Sequence, residues 1–471
     1  MPAIKSTGAY IPYYRLECKE IARAWGGGPA RGEKALRNFD EDSITISVEA
    51  CRDCLKGIDR NIIDGLYFAS TTAPYKEKQS ASTIAAALDL DKNIFTIDIT
   101  DSIRAGTNAI KAALDAVKSG SLKNVIVVAS DCRTGLPGSS FENILGDGAA
   151  ALLISDQGSV DFNAFFSHTN EIIDQWRTNS QPYIKTWEDR FVKSLGYTAN
   201  VKKSLGKFLT EQNLTIEDFD KVALYAPDAR SLKGICKSFD IDPATKLQDP
   251  MFDSVGNTGA SFALLMLIGA VENANENDNI LMVNYGDGCD VLSFFVKEKP
   301  KLHNERKGVK GHIESKGYIN NYEKYLQFRQ LMEIETGRNR PPKVSSAVAI
   351  QRDSKMIYSL SASECTSCGR QFFPPQRICL YCKAKDQFKK ISISERKGKL
   401  FTYSKDELAE TIDPPLIVSI IDVEGNMRFF GQMTDRDPEN IKIDMPLEFT
   451  FRKLGEAGGF NTYFWKCRPI R

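Results

Sequence analysis

Four cysteines carry the clearest chemistry in this chain. Two residues separate Cys365 from Cys368, and two separate Cys379 from Cys382, with ten residues between the pairs. Two such pairs on neighbouring turns bring four thiolates around one point, the donor set of a tetrahedral structural Zn2+ site. All four positions are then protein ligands, so no open coordination site remains for catalysis. Iron accepts the same four thiolates, and the competing reading is a redox pair or free thiols. Other thiols carry weaker signals. Cys51 and Cys54 share the spacing but lack a second pair, and read as core or surface residues. Cys132 and Cys289 lie next to strand ends, where a thiol can approach a pocket, although small buried cysteines are common. The histidines are His168, His303 and His312, and His168 reads as a surface or structural residue.

The elements that must position these residues change character along the chain. Residues 1–297 alternate short β-rich runs with helical stretches. Val125 to Ala129 and Ile280 to Val283 read as buried strands, short, apolar and bounded by turn residues. Each leads to a Gly-Asp-Gly, at 146–148 and 286–288, and then to another apolar run. This echo points to an internal duplication of two α/β halves. Residues 100–118 read as a loop entering an amphipathic helix, with Ala109, Ile110, Ala113 and Val117 at helical spacing. Residues 259–272 read as a buried helix. A helix is expected over Tyr318 to Glu335, ended by Pro341-Pro342. From about Ile393 five short strands, KLFTYSK, PLIVSIIDV, MRFFGQM, LEFTFRKL and TYFWKCRP, are divided by turns and indicate a small barrel of the OB type.

Bulk properties narrow the function. The chain has 471 residues, 42% hydrophobic and 26% charged, with a net charge of +1. That balance gives no field for nucleic acid or an acidic membrane surface, and the barrel strands lack a basic stripe with interleaved aromatics. No stretch reaches the roughly 18 apolar residues of a membrane span. The start, MPAIKSTGAYIPYYRLECKE, has no apolar core of a signal peptide. The expectation is a cytoplasmic protein whose eleven cysteines serve metal binding or stay free.

Two resemblances add to this. The segment CTSCGRQFFPPQRICLYC, with GKLFTYS, PPLIVSIIDVEG and FWKCRP after it, resembles the rubredoxin-like zinc ribbon plus OB-fold domain that accompanies thiolase-like enzymes. That resemblance implies a domain that bridges subunits or helps hold acyl-CoA. Residues 1–297 resemble hydroxymethylglutaryl-CoA synthases of the thiolase superfamily, with type III ketoacyl synthases as cousins. The segments that carry it include STTAPYKEKQSASTIAAAL, DSIRAGTNAI, DQWR, LYAPDARS, VGNTGAS and NYGDGCDVLSF. The implied fold is α/β, a duplicated thiolase-like αβαβα layering, followed by the zinc ribbon and the small all-β OB-fold barrel. The expected domains are 1–160 and 161–298 for the two thiolase-like halves, 299–358 for a linker with a docking helix, 359–392 for the ribbon and 393–471 for the barrel. Such folds are normally dimers.

In the enzymes it resembles, a cysteine attacks an acyl thioester, a histidine helps hold the oxyanion and a glutamate moves protons. By that resemblance the three positions here are Ile103, Tyr225 and Thr71, and the asparagine of the GNTG element is Asn257. An isoleucine cannot form a thioester, and Ser102 beside it is expected to point elsewhere. The leading expectation is an acyl-CoA protein that pairs with a thiolase-like subunit. One alternative is a cysteine-independent retro-aldolase acting on a β-hydroxyacyl-CoA, with Tyr225 exchanging the proton and Asn257 holding the thioester oxygen. Others are a conventional acyltransferase whose site is misplaced by the alignment, and an interaction module without an acyl-CoA pocket. The implied cofactors are structural Zn2+ and a coenzyme A thioester as ligand or substrate. The implied partners are acyl-CoA and a second subunit, with neither nucleic acid nor membrane.

Overall fold

Strand pairing explains the echo of the two Gly-Asp-Gly corners. The structure, a computed structural model, describes every residue except Pro29, Asn179, Lys301 and residues 334–345. Its main sheet has nine strands: β1 Ala3–Tyr10, β2 Gly65–Ala69, β3 Phe95–Ile99, β4 Asn124–Asp131, β5 Gly148–Ser155, β6 Val160–Thr169, β7 Lys221–Leu224, β8 Asn279–Tyr285 and β9 Gly288–Val296. Their order is β7-β8-β9-β6-β1-β5-β4-β2-β3. From the β6–β1 junction outward the two sides repeat. β5 and β9 are the antiparallel neighbours of β1 and β6, and β4 and β8 follow them. β2 pairs parallel with β4 as β7 does with β8. The two Gly-Asp-Gly corners thus open equivalent strands of a duplicated fold.

Helices cover this sheet for reasons visible in their residues. Helix α1, Ser43–Cys54, starts at a capping box between Asp42 and Thr45 and is buried throughout. Helix α2, Ala105–Ser119, buries Ala109, Ile110, Ala113 and Val117 on β4 and β2, and ends at Gly120 with φ 76°. Helix α3, Phe262–Glu272, is buried from Phe262 to Val271. A helix apolar on all sides must sit inside, and α3 packs on strands of both halves, β7 and β8 as well as β5 and β1. These elements belong to a unit made of Met1–Arg37, Asp42–Ser82 and Asp91–Tyr322.

A second unit gathers Glu323–Arg471 with the short segments Asn38–Glu41 and Thr83–Leu90. Strands β10 Ser361–Cys365, β11 Gln371–Phe372 and β12 Phe388–Ser392 form a small sheet. Strands β13 Lys397–Asp406, β14 Leu416–Val423, β15 Met427–Met433, β16 Pro446–Ala457 and β17 Phe460–Pro469 close a barrel in the order β13-β14-β15-β17-β16. Inside this unit the wholly buried Arg452 meets Asp40, Glu41 and Asp435 at 3.1, 2.7 and 2.5 Å. A buried cation needs such partners.

The helix expected over Tyr318 to Glu335 is shorter, Tyr322–Phe328. Gly317–Tyr318 instead pairs in parallel with the strand at Tyr14–Glu17, and Ile319 N–H donates to the Arg15 carbonyl at 2.9 Å. Tertiary pairing overrides helix propensity there. At the other end Gln330 adopts φ 58° and closes the last turn. The end of the expected helix beyond Glu333 and the Pro341-Pro342 pair lie outside the described residues. Among the described residues no helix is long and apolar enough to cross a membrane.

Candidate functional site

A cleft of about 1310 Å³ opens in the first unit. Thr71, Ile103, Arg133, Asp174, Gly286 and Asp287 are among its lining residues. Strand ends and helix entries deliver them, as an open α/β sheet places its ligand groups. Ile103 precedes the first turn of α2, is 9% exposed and packs with the apolar core. Gly286 lets it do so, since a Cβ there would stand 3.2 Å from the Ile103 Cβ. Ser102, beside it, is engaged. Its hydroxyl donates to Asp287 Oδ2 at 2.9 Å. Arg104, next along, is buried and bonded to Asp290 at 3.0 Å and to the Asp287 carbonyl at 3.1 Å.

Thr71 belongs to a hub centred on Asp131 at the end of β4. This buried carboxylate accepts from Thr71 N–H at 2.7 Å and Thr71 Oγ1 at 2.9 Å. It also accepts from Ser70 Oγ at 3.0 Å, Thr72 Oγ1 at 2.9 Å and Ala260 N–H at 2.8 Å. The last bond ties the first half of the fold to the Gly259–Ser261 turn of the second. Gly259, with φ +63°, is needed for this approach, because a Cβ would fall 2.3 Å from Asp131 Oδ2.

Tyr225 and Asn257 lie together, behind the lining. Tyr225 is 1% exposed, and Asn257 Nδ2 donates to its hydroxyl at 3.2 Å. The Asn257 loop is fixed by backbone bonds to Ile144 and Gly146 at 2.8 and 3.1 Å. Burial pushes the Tyr225 phenol up, while the Arg133 cation and Asn257 pull it down. Arg133, which does line the cleft, also donates to Gln175 at 2.7 Å. The sequence did not single out Asp131, Arg133, Asp174 or Tyr285. Polar residues directly after the apolar run Val125 to Ala129 were the available signal for Asp131 and Arg133. Cys289 is fully buried and its thiol is pushed up to about 12 by burial, so it offers no thiolate. His168 sits on β6, with its imidazole pushed down by burial and by Lys203, Lys207 and Arg104.

The second unit holds the metal centre. The sulfurs of Cys365, Cys368, Cys379 and Cys382 all lie within 4.8 Å of one another. Cys365 to Cys382 is 3.7 Å and Cys368 to Cys379 is 3.5 Å. Ligands about 2.3 Å from a tetrahedral Zn2+ stand about 3.8 Å apart, so the set fits the ion. Each knuckle turns on a left-handed residue after its second cysteine, Gly369 at φ 71° and Lys383 at φ 63°. Burial disfavours the Cys379 thiolate, but N–H groups of Cys382 and Tyr381, together with the neighbouring Cys382 and Cys368 thiols, outweigh it and bring the thiol down to about 6. Those donors ready the sulfur for a cation. Bound there, zinc would supply cross-linking of the two knuckles.

Residues 352–387 match the family model described as ChsH2, rubredoxin-like zinc ribbon domain. The hydroxymethylglutaryl-CoA synthase of Methanopyrus kandleri is 30% identical over 340 residues, covering 69% of this chain and 97% of that protein. The chain belongs to the hydroxymethylglutaryl-CoA synthase family. The synthase of Methanocaldococcus jannaschii is 29% identical over 347 residues, 71% of this chain and 100% of that one. Among solved structures, an HMG-CoA synthase complexed with CoA superposes with a TM-score of 0.64 at 17% identity, over 73% of this chain and 95% of that one. The 3-oxoacyl-[acyl-carrier-protein] synthase III of Aquifex aeolicus gives 0.56 at 19% identity, over 63% and 100%. These likenesses give the thiolase-type fold. This family member carries an additional zinc ribbon and closed barrel.

Proposed function

We propose that this chain binds a CoA thioester in its cleft without forming an acyl-enzyme. In this reading it serves as a subunit of a thiolase-type assembly that makes or breaks a C–C bond on that thioester. One observation carries the reading: the described residues lining the cleft include no cysteine and no histidine, and Ile103 stands where α2 begins. Covalent acyl transfer needs an activated nucleophile with a base in reach. Ser102 is held by Asp287, and Cys289 is buried. Lys76, Lys78 and Arg177 on the lining supply positive charge for the phosphates of a CoA. A solved relative in fold is complexed with CoA, and the synthase family works on CoA thioesters by name.

In this reading Thr71 no longer moves protons. It joins the Asp131 hub that holds the two halves of the cleft in register. Tyr225 and Asn257 act from behind the lining and position Arg133. The zinc ribbon and barrel serve the assembly as structural domains. Incubation with acetyl-CoA followed by intact-mass spectrometry should show no acyl adduct, while calorimetry shows acetyl-CoA binding. Gentle purification from the native cell should recover a thiolase-like subunit with an intact cysteine motif. A stoichiometric acyl adduct on this chain, or no binding of any CoA thioester, would overturn the reading.

A further inference from the structure

Arg133 is a buried cation without a paired anion. The residue is 6% exposed. Its stem lies against the Gly259 turn, where a Cβ would stand 2.6 Å from the Arg133 Cδ. Burying a charge is costly unless it is paired. The other buried arginines of the first unit obey that rule. Arg15, Arg52 and Arg104 each have a carboxylate oxygen near, at 3.8, 2.8 and 3.0 Å. Among the described residues no carboxylate makes an ion pair with Arg133. Its Nη2 donates instead to the neutral Gln175 at 2.7 Å, and a second neutral group, the Tyr225 phenol, lies against it. The acids of the lining and its hub are spent elsewhere. Asp131 accepts from Ser70, Thr71, Thr72 and Ala260, and Asp174 accepts from the Tyr285 hydroxyl at 2.6 Å. No nitrogen of Arg133 is both sealed from solvent and unpaired. The N–H groups that Gln175 and Tyr225 leave over therefore open on the cleft that the residue lines.

We infer that Arg133 is a specificity residue of this cleft: it holds the terminal carboxylate of an acyl chain, so that the preferred ligand is the CoA monothioester of a short dicarboxylic acid. This rests on the reading that the cleft holds a CoA thioester. The positions of the cations divide such a ligand in two. Lys76, Lys78 and Arg177 on the lining are exposed, where the bulky phosphates of a CoA can lie. Arg133 is buried against the Gly259 turn, so only a small end group entering the cleft meets it. A guanidinium offers parallel N–H donors that match the two oxygens of a carboxylate. A chain ending in methyl would strip water from the guanidinium and return no hydrogen bond, which costs affinity. A chain ending in carboxylate supplies the missing anion. In the proposed function nothing tethers the acyl group covalently, and this ion pair fixes its far end instead.

The test uses the full chain and two matched pairs of thioesters, succinyl-CoA against butyryl-CoA and glutaryl-CoA against pentanoyl-CoA. Within each pair the chain length is the same, and only the end changes from carboxylate to methyl. Calorimetry reads the affinities. In wild type at least one dicarboxylic thioester should bind roughly 10- to 100-fold more tightly than its neutral match, the range for a hydrogen bond to a charged group. Arg133→Gln should bring that ratio close to one. Arg133→Lys, which keeps the charge but not the two-pronged donor, should keep part of it. The wild-type ratio needs no variant, so a variant that fails to fold does not protect the inference. A wild-type ratio near one in both pairs overturns the inference and leaves the proposed function standing. A wild-type preference that survives unchanged in Arg133→Gln overturns it as well. No binding of any of the four thioesters by wild type removes both.

Discussion

The zinc centre and the cleft treat their reactive residues in opposite ways. In the ribbon all four cysteines are present, and their sulfurs converge within 4.8 Å. In the cleft the scaffold is kept, but the position at the entry of α2 carries Ile103. The two sites depend on different things. A structural ion is itself the cross-link, so losing one thiolate loses the fold around it. The cleft is held by groups that do no covalent chemistry, chiefly the Asp131 hub and the close-packed Gly-Asp-Gly corners. Under the proposed function, the residue at the entry of α2 can therefore change while the architecture persists.

The largest effect that could break this comparison is on the metal. Cys379→Ser, or zinc removal by a strong chelator, should unfold the ribbon, since such sites contribute roughly 10–16 kcal/mol of apparent binding free energy. Metal analysis should give one zinc per wild-type chain and none in the variant, with new protease cuts at 365–382. A ribbon that stays protected without metal would end the contrast.

Next is the scaffold of the cleft. A Cβ on Gly146 would lie 1.9 Å from the Val255 carbonyl oxygen, against backbone that cannot yield cheaply. Gly146→Ala should cost about 3 kcal/mol or more, read as a lower midpoint in denaturant. A neutral result would mean that the corner is not what holds the cleft together.

A similar magnitude is expected from Glu272, at the end of α3. Burial pushes its carboxyl up to about 7, opposed by the Val309 N–H and Arg306 and reinforced by Asp53. The folded protein keeps this proton where the unfolded chain, with a value of about 4.3, has released it. Stability is thus full below about 4.3 and is lost as pH rises through about 7, by about 4 kcal/mol in all. Glu272→Gln should flatten that slope in denaturant titrations at several pH values.

The smallest cost in stability belongs to Ile103→Cys, about 1 kcal/mol for the lost methyl groups. Its readout is chemical. A thiol at the entry of α2 benefits from the helix terminus, so intact-mass spectra with acetyl-CoA should show an adduct that wild type lacks. No adduct would mean that a thiol at this position is not enough for acyl transfer in this cleft.

Legibility followed the distance over which each feature is decided. The barrel strands were readable because alternation and turn residues are local, and MRFFGQM coincides with β15 from Met427 to Met433. The buried helix at 262–272 was readable from its unbroken apolar run. The start of the expected helix at Tyr318 was not, because a parallel pairing with Tyr14–Glu17 claims Gly317–Tyr318. Arg133 stood directly after Cys132, yet nothing in its neighbours announced a buried guanidinium without a carboxylate partner.

Residue type and spacing alone gave the four cysteines of the zinc ribbon, the echo of two halves and an isoleucine at position 103. Folding alone brings Asp131 to join the two halves, puts Tyr225 and Asn257 behind the lining and sets Asp174 against Tyr285. Those placements follow from strand order and burial. They bring together residues far apart in the chain and set how far each charge is stripped of water, which no local pattern encodes.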